Sequence, residues 1–130
     1  MKRIAIMLIM LMLLTGCKET DVDKDGYRQI TTDEAAAMME EESGYVILDV
    51  RTTGEFEDKH IPGALNIPNE SIGDEEISQL PDKNQLILIY CRSGNRSKQA
   101  AEKLVASGYT NIVEFGGIND WNGETVSGKS

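Results

Sequence analysis

The chain has 130 residues, enough for one domain, and carries 22 acidic against 13 basic side chains, a net charge of −9 at pH 7. This negative balance makes nucleic acid and anionic lipid headgroups poor partners, because both would repel it. A function based on binding phosphate backbones is therefore not expected.

The first segment has the pattern of a secretory signal. Lys2 and Arg3 precede an uncharged apolar run over residues 4–14, which is too short for a comfortable membrane span and is typical of a signal-peptide h-region. The run ends Leu14-Thr15-Gly16-Cys17, which resembles the lipobox of bacterial lipoproteins. That resemblance implies cleavage before Cys17 and its diacylation. A non-cleaved anchor or an ordinary signal peptide are the alternatives.

These residues predict three parts of the chain: a signal peptide over 1–16, a lipidated cysteine with an acidic linker over 17–26, and a domain over 27–130. The mature chain would carry 11 basic and 22 acidic side chains, or −11, with Cys91 as its remaining thiol and no internal disulfide. Two acyl chains suffice for stable anchoring. We therefore expect an extracytoplasmic lipoprotein at the cell membrane or an outer membrane.

The domain alternates strands with helices. Continuous apolar runs or short apolar segments predict strands at residues 45–50, 65–67, 86–90 and 112–115. A capping box of Thr31 and Glu34 starts the first helix, which runs towards Gly44, and further helices are predicted at 55–59, 72–80, 97–107 and up to Trp121. Such alternation indicates an α/β fold, a parallel sheet covered on both faces, with ligands at the carboxyl ends of its strands.

The segment Cys91-Arg92-Ser93-Gly94-Asn95-Arg96-Ser97 follows a buried strand and leads directly into a helix. Backbone N–H groups, a helix N-terminus and two arginines converge there, which favours an anion and stabilises a thiolate. Such surroundings bring a cysteine pKa from near 8.5 to roughly 3.5–7.5. Because Gly94 permits a tight turn, the amides can point inward. The sequence therefore predicts an activated nucleophile at Cys91.

Residues 31–121 resemble a single-domain rhodanese, the sulfurtransferase homology domain. Three separated motifs carry the resemblance in the family's order: LDVRTTGEFEDKHIPGALNIP, LILIYCRSGNRS, and Gly116-Gly117 followed by Trp121. The resemblance implies a parallel five-stranded sheet with helices on both sides, and a cysteine that carries sulfane sulfur as a persulfide. Lys59, in place of a common glycine, and Glu124-Thr125, in place of a proline, depart from the family pattern outside the loop.

Under this resemblance Cys91 is the persulfide carrier, and the residues that bind the persulfide or substrate are Arg92, Ser93, Gly94, Asn95, Arg96 and Ser97. Arg92 and Arg96 are candidates for binding the anionic part of a donor such as thiosulfate. Arg96 has a structural alternative, in which it pairs with Asp49 and holds the shape of the loop.

Three further residues are expected to support the site. Asp49 is predicted to be an ionised salt-bridge partner, with a role as a base as the alternative. Arg51 is expected to brace the Asp49 loop or to meet substrate. His60 is expected to be a structural hydrogen-bonding residue or, alternatively, to transfer protons. Trp121 is expected to cover the core.

The predicted function is transfer of sulfane sulfur from thiosulfate or a persulfide donor to a thiophilic acceptor. A module that binds sulfur or an anion without turnover, and an arsenate reductase or phosphatase on the same fold, remain alternatives. Four residues separate Cys91 from Arg96, one fewer than in the loops of cysteine-dependent phosphatases, which favours sulfur transfer. We predict no metal or other cofactor, because the corresponding motifs are missing, and a monomer whose partners are small sulfur-containing anions or thiol acceptors.

Overall fold

A computed structural model describes residues 25–130 of the protein. The predicted signal segment and Cys17 lie outside this range, so the predictions about them remain predictions. Within the described range, no helix combines the length and the apolar character that crossing a membrane requires.

Five parallel strands form one sheet in the order β1-β5-β4-β2-β3. The strands are β1 (Arg28–Gln29), β2 (Val46–Asp49), β3 (Leu65–Asn66), β4 (Ile87–Cys91) and β5 (Ile112–Gly117). The central strand β4 is buried along its whole length, as its apolar run predicts. The sequence pattern missed β1, since two polar residues show no periodicity. That strand exists through its pairing with β5.

Helices cover both faces of the sheet, which confirms the predicted fold class. The helices are α1 (Thr32–Glu41), α2 (Thr53–Asp58) and α3 (Asn95–Ala106), and short 3-10 turns occupy Asn69–Ser71 and Ile118–Asp120. On one face, Ala35 of α1 packs in a cluster with Val113 and Phe115. On the other, Ala101 and Leu104 of α3 pack with core residues such as Leu48 and Ile89. The capping box of Thr31 and Glu34 starts α1 as predicted.

The predicted helix at residues 72–80 is wrong. This segment forms turns and bends, although Ile72 and Leu80 at its two ends are buried in the core. Gly73, near the start of the segment, disfavours a helix because glycine lowers helix stability. The two apolar residues are therefore held by their contacts with the core.

Candidate active site at the Cys91 loop

The loop after β4 is folded tightly around the sulfur of Cys91. Gly94 has φ of +107°, a left-handed conformation that favours glycine, and it precedes the first residue of α3. Its backbone N–H donates to Sγ of Cys91 at 3.0 Å. The helix consequently begins at Asn95, two residues earlier than the sequence pattern predicts.

Strand β5 supports this loop through close backbone contact. Gly117 lies opposite Cys91 in the sheet, where β4 and β5 shift register. A Cβ atom at residue 117 would lie 2.0 Å from the carbonyl oxygen of Arg92, so a larger residue does not fit. Asn119, just beyond the strand, donates its N–H to the same oxygen at 3.1 Å. The position of the loop therefore depends on a glycine at residue 117.

The thiol of Cys91 is buried in a polar setting. The residue is 1 % exposed, and its Sγ lies 3.4 Å from the hydroxyl oxygen of Ser97. Burial by itself would raise the pKa of the thiol. The Ser97 hydroxyl and the backbone N–H groups of Ser97, Gly94 and Ser93 outweigh that effect and lower the pKa of Cys91 below its ordinary value. The loop can therefore hold a negative charge on sulfur.

A buried carboxylate beneath the loop was not predicted from the sequence. Glu114 of β5 is 2 % exposed, and its Oε2 accepts hydrogen bonds from the Ser97 hydroxyl at 2.5 Å and from the backbone N–H of Gly116 at 2.9 Å. Gln29 of β1 lies 3.5 Å from its other oxygen. An acidic residue within an otherwise apolar strand was the signal that could have revealed it, because buried carboxylates are rare without a specific role.

The two loop arginines have different surroundings. Arg96 donates to both carboxylate oxygens of Glu55, at 2.8 and 3.1 Å, and this pairing corrects the predicted alternative in which Arg96 pairs with Asp49. The sequence could not identify Glu55, because the pair joins the first turns of two helices that are far apart in the chain. Arg92 is exposed. Arg92 is thus the better placed of the two to meet an incoming anion.

Asp49 and Arg51 form a buried ion pair, with Nη2 of Arg51 lying 2.6 Å from Oδ2 of Asp49. Arg51 also donates to the backbone oxygen of Lys59 at 2.7 Å, so the pair connects the ends of β2 and α2. The Arg51 guanidinium lies 5.6 Å from the centre of the Tyr90 ring. Tyr90 and Cys91 are adjacent and belong to clusters on opposite faces of the sheet. No hydrogen bond or ion pair recorded for residues 25–130 joins this pair to Cys91.

His60 is buried and contacts residues other than those of the Cys91 loop. Its ring stacks on Phe56 at 3.7 Å, and Nδ1 lies 2.8 Å from the backbone oxygen of Phe56. Its backbone forms an antiparallel bridge with Val126. Nε2 is buried and has no hydrogen-bond partner among the described residues. These contacts fix the ring in place and do not include Cys91.

A cleft of about 250 Å³ adjoins the loop. Its lining includes the exposed side chain of Arg92 together with Lys59, Glu55, Asp58 and Asn119. Cys91 is not among the residues that line it. The cleft is therefore a mixed-charge surface beside the Cys91 loop.

Comparison with known proteins assigns the chain to a family. The family model described as "Rhodanese-like domain" matches residues 31–124, so this protein belongs to the rhodanese-like family. The chain is 37 % identical over 73 residues to "Thiosulfate sulfurtransferase PspE" of Escherichia coli (strain K12). The matched region covers 56 % of this chain and 70 % of that protein. It is 33 % identical over 107 residues to "Thiosulfate sulfurtransferase GlpE" of Pseudomonas syringae pv. syringae, covering 78 % of this chain and 97 % of that protein.

A solved structure described as "rhodanese with anions from E. coli" has a TM-score of 0.60 and 34 % identity, covering 65 % of this chain and 99 % of that one. Other relatives are much longer. The chain is 37 % identical over 90 residues to "Adenylyltransferase and sulfurtransferase UBA4" of Meyerozyma guilliermondii. This match covers 63 % of this chain but only 21 % of that protein. The fold is thus that of the rhodanese family, and relatives named as sulfurtransferases support a role in sulfur transfer.

Proposed function

We propose that this protein transfers sulfane sulfur through a persulfide on Cys91. The observation that carries the proposal is the set of hydrogen-bond donors around Sγ, from the Ser97 hydroxyl and the loop amides, which lowers the pKa of the thiol despite its burial. A persulfide places its second sulfur about 2 Å beyond Sγ, and that sulfur also carries a negative charge. Donors clustered around the first sulfur are suited to stabilise both forms.

In the first half-reaction the Cys91 thiolate attacks the outer sulfur of thiosulfate. A bond forms between Sγ and that sulfur, the sulfur–sulfur bond of thiosulfate breaks, and sulfite leaves with the electron pair. Arg92 is our candidate for attracting the dianion, because it is exposed while Arg96 is held by Glu55. The product is an anionic persulfide on Cys91.

In the second half-reaction a thiophilic acceptor attacks the terminal sulfur. The bond between the acceptor and that sulfur forms while the bond to Sγ breaks, and the thiolate of Cys91 returns. Cyanide as acceptor would give thiocyanate, and a thiol would give a new persulfide. The cleft beside Arg92 is our candidate site for the polar part of the acceptor.

Formation of thiocyanate from thiosulfate and cyanide tests this function on the full chain. We expect turnover by the unaltered protein and by Cys17→Ser, the matched control at the chain's other cysteine. Cys91→Ser should reduce the rate to that measured without protein, because serine is not ionised near neutral pH and cannot form a persulfide. An unchanged rate in Cys91→Ser would contradict the proposal.

The burial of Cys91 favours a second candidate, a module that binds sulfur without turnover. Cys91 is 1 % exposed as a residue, so its sulfur is shielded from bulky acceptors. Such a module would gain one sulfur from thiosulfate and keep it when cyanide or small thiols are added. Loss of the sulfur to those acceptors would support the enzyme instead.

We also propose that the domain is tethered outside the cytoplasm through Cys17. The support is the apolar run followed by Leu14-Thr15-Gly16-Cys17. Protein expressed in bacterial cells should then partition into detergent and carry acyl chains on Cys17, while Cys17→Ser should remain in the aqueous phase. Equal partitioning of the two proteins would exclude the tether.

A further inference from the structure

Three side chains form a continuous chain from the reactive thiol to a buried carboxylate. Sγ of Cys91 lies 3.4 Å from Oγ of Ser97, and that oxygen lies 2.5 Å from Oε2 of Glu114. All three residues are buried, with exposures of 1 %, 0 % and 2 %. Solvent therefore has little access to this chain of hydrogen bonds.

We propose that Glu114 takes up the proton of Cys91 through the hydroxyl of Ser97, so that the thiol and the carboxyl group share one negative charge. This inference rests on the proposed function of Cys91 as the nucleophile, and it adds the residue that controls how the nucleophile is formed. Glu114 acts through Ser97 and does not touch the reacting sulfur.

Charge distribution around Glu114 supports this sharing. The ion pairs recorded among residues 25–130 are Arg51 with Asp49 and Arg96 with Glu55, and neither includes Glu114. Its hydrogen-bond partners are the Ser97 hydroxyl, the Gly116 amide and the Gln29 side chain. A thiolate and a carboxylate separated by one hydroxyl group repel each other in a buried setting, so the state with both groups ionised is disfavoured.

Other ionisable groups near these three side chains are paired elsewhere or, like Arg92, exposed to solvent. On α3, Arg96 interacts electrostatically with Cys91, but its hydrogen bonds go to Glu55. On β1, Gln29 is neutral, and the neighbouring Arg28 donates to Asn111. The position of the shared proton along these hydrogen bonds is therefore determined mainly by Cys91 and Glu114 themselves.

The transfer needs no other reactant. In the thiol form, the S–H group of Cys91 donates a hydrogen bond to Oγ of Ser97, and the Ser97 hydroxyl donates its own hydrogen bond to Glu114. In the transfer, the S–H bond breaks as that proton bonds to Oγ, and the original hydroxyl proton of Ser97 bonds to Oε2. The thiolate then accepts from the Ser97 hydroxyl and the Gly94 N–H, and Glu114 is neutral. Total charge and electron count are unchanged.

Alkylation of Cys91 by iodoacetamide tests this inference without requiring sulfur transfer. The neutral thioether that forms no longer repels a carboxylate, so Glu114 should release its proton. In weakly buffered solution, at a pH where Cys91 is largely thiolate, the full chain with Cys17→Ser should release about one proton per alkylated cysteine. The same chain with Glu114→Gln should release none, and Glu102→Gln, an exposed glutamate of α3, should behave like the parent.

Equal proton release from the parent and Glu114→Gln would overturn the inference, whether the shared value is one or zero. A second measurement on the parent protein covers the case in which Glu114→Gln does not fold. The infrared difference spectrum on alkylation should show loss of the band of a protonated carboxyl group and gain of carboxylate bands. Absence of that change would also overturn it. If proton release and the infrared change are as expected but no thiocyanate forms in the sulfur-transfer assay, the proposed function fails and the inference about Glu114 stands.

Discussion

At the residue scale, the ion pair between Glu55 and Arg96 connects the first turns of α2 and α3. Glu55 has two roles there, because it also completes the capping box of α2 by accepting the N–H of Thr52 at 3.0 Å. The hydrogen bonds from Arg96, opposed by partial burial, lower the pKa of Glu55 to about 2 from an ordinary 4.5. The pair therefore stays ionised throughout the neutral range and fixes Arg96 beside the loop.

This depressed pKa predicts how the pair's contribution to stability depends on pH. A carboxyl group with a lower pKa in the folded state stabilises the fold fully above its unfolded pKa, and that contribution is lost as pH falls towards about 2. Urea unfolding should show Glu55→Gln to be less stable than the parent by about 1 kcal/mol at pH 7, since the pair is partly exposed. The difference should shrink towards zero as the pH falls to about 2.

The control for this prediction is Glu40→Gln, which makes the same change at an exposed residue of α1. Its stability should differ little from that of the parent at either pH. A difference between the parent and Glu55→Gln that stays constant with pH would show that the effect comes from capping or packing and not from charge.

At the element scale, the Cys91 loop depends on the close approach of β4 and β5. The carbonyl carbon of Arg92 and the amide nitrogen of Ser93 would lie 2.3 and 2.6 Å from a Cβ atom at residue 117. These are backbone atoms, so a side chain at that position would have to displace the loop as a whole. The hydrogen bonds from the loop to Sγ would then lengthen or break.

Gly117→Ala should therefore weaken both the fold and the activation of Cys91. We expect a loss of about 1–3 kcal/mol in the free energy of unfolding, as for other overpacked sites. Alkylation of Cys91 at pH 7 should also become slower, because the pKa of the thiol would return towards its ordinary value. Urea unfolding and the rate of iodoacetamide labelling measure the two effects.

Gly54→Ala is the matched control, since nothing lies within 4 Å of a Cβ atom at residue 54 and that residue is in α2. It should be as stable as the parent or slightly more so. If Gly117→Ala labels as fast as the parent, the geometry of the loop does not set the reactivity of Cys91.

At the scale of the whole molecule, local patterns predicted those features that depend on neighbours in the sequence. Apolar runs located four of the five strands, and the capping box located the start of α1. The turn-forming glycine and the arginines marked the Cys91 loop. Each of these features follows from a few adjacent residues, whose burial or backbone conformation is decided locally.

Features that depend on tertiary pairing could not be predicted in this way. Strand β1 exists only through its pairing with β5. The partner of Arg96 is 41 residues away, and the carboxylate beneath Ser97 is 17 residues away. The segment at 72–80 is fixed by burial of its two ends and not by helix propensity. The sequence thus indicated the Cys91 loop as the candidate site, while the groups that surround its sulfur could be identified only from the folded structure.

A persulfide mechanism is tested most sharply by locating the transferred sulfur within the intact protein. After incubation with thiosulfate and removal of the donor, mass spectrometry should show one added sulfur atom, and peptide mapping should place it on Cys91. Addition of cyanide should remove that sulfur and release an equal amount of thiocyanate. Thiocyanate formation with no sulfur detected on Cys91, or with sulfur only on Cys17, would contradict a persulfide mechanism at this loop.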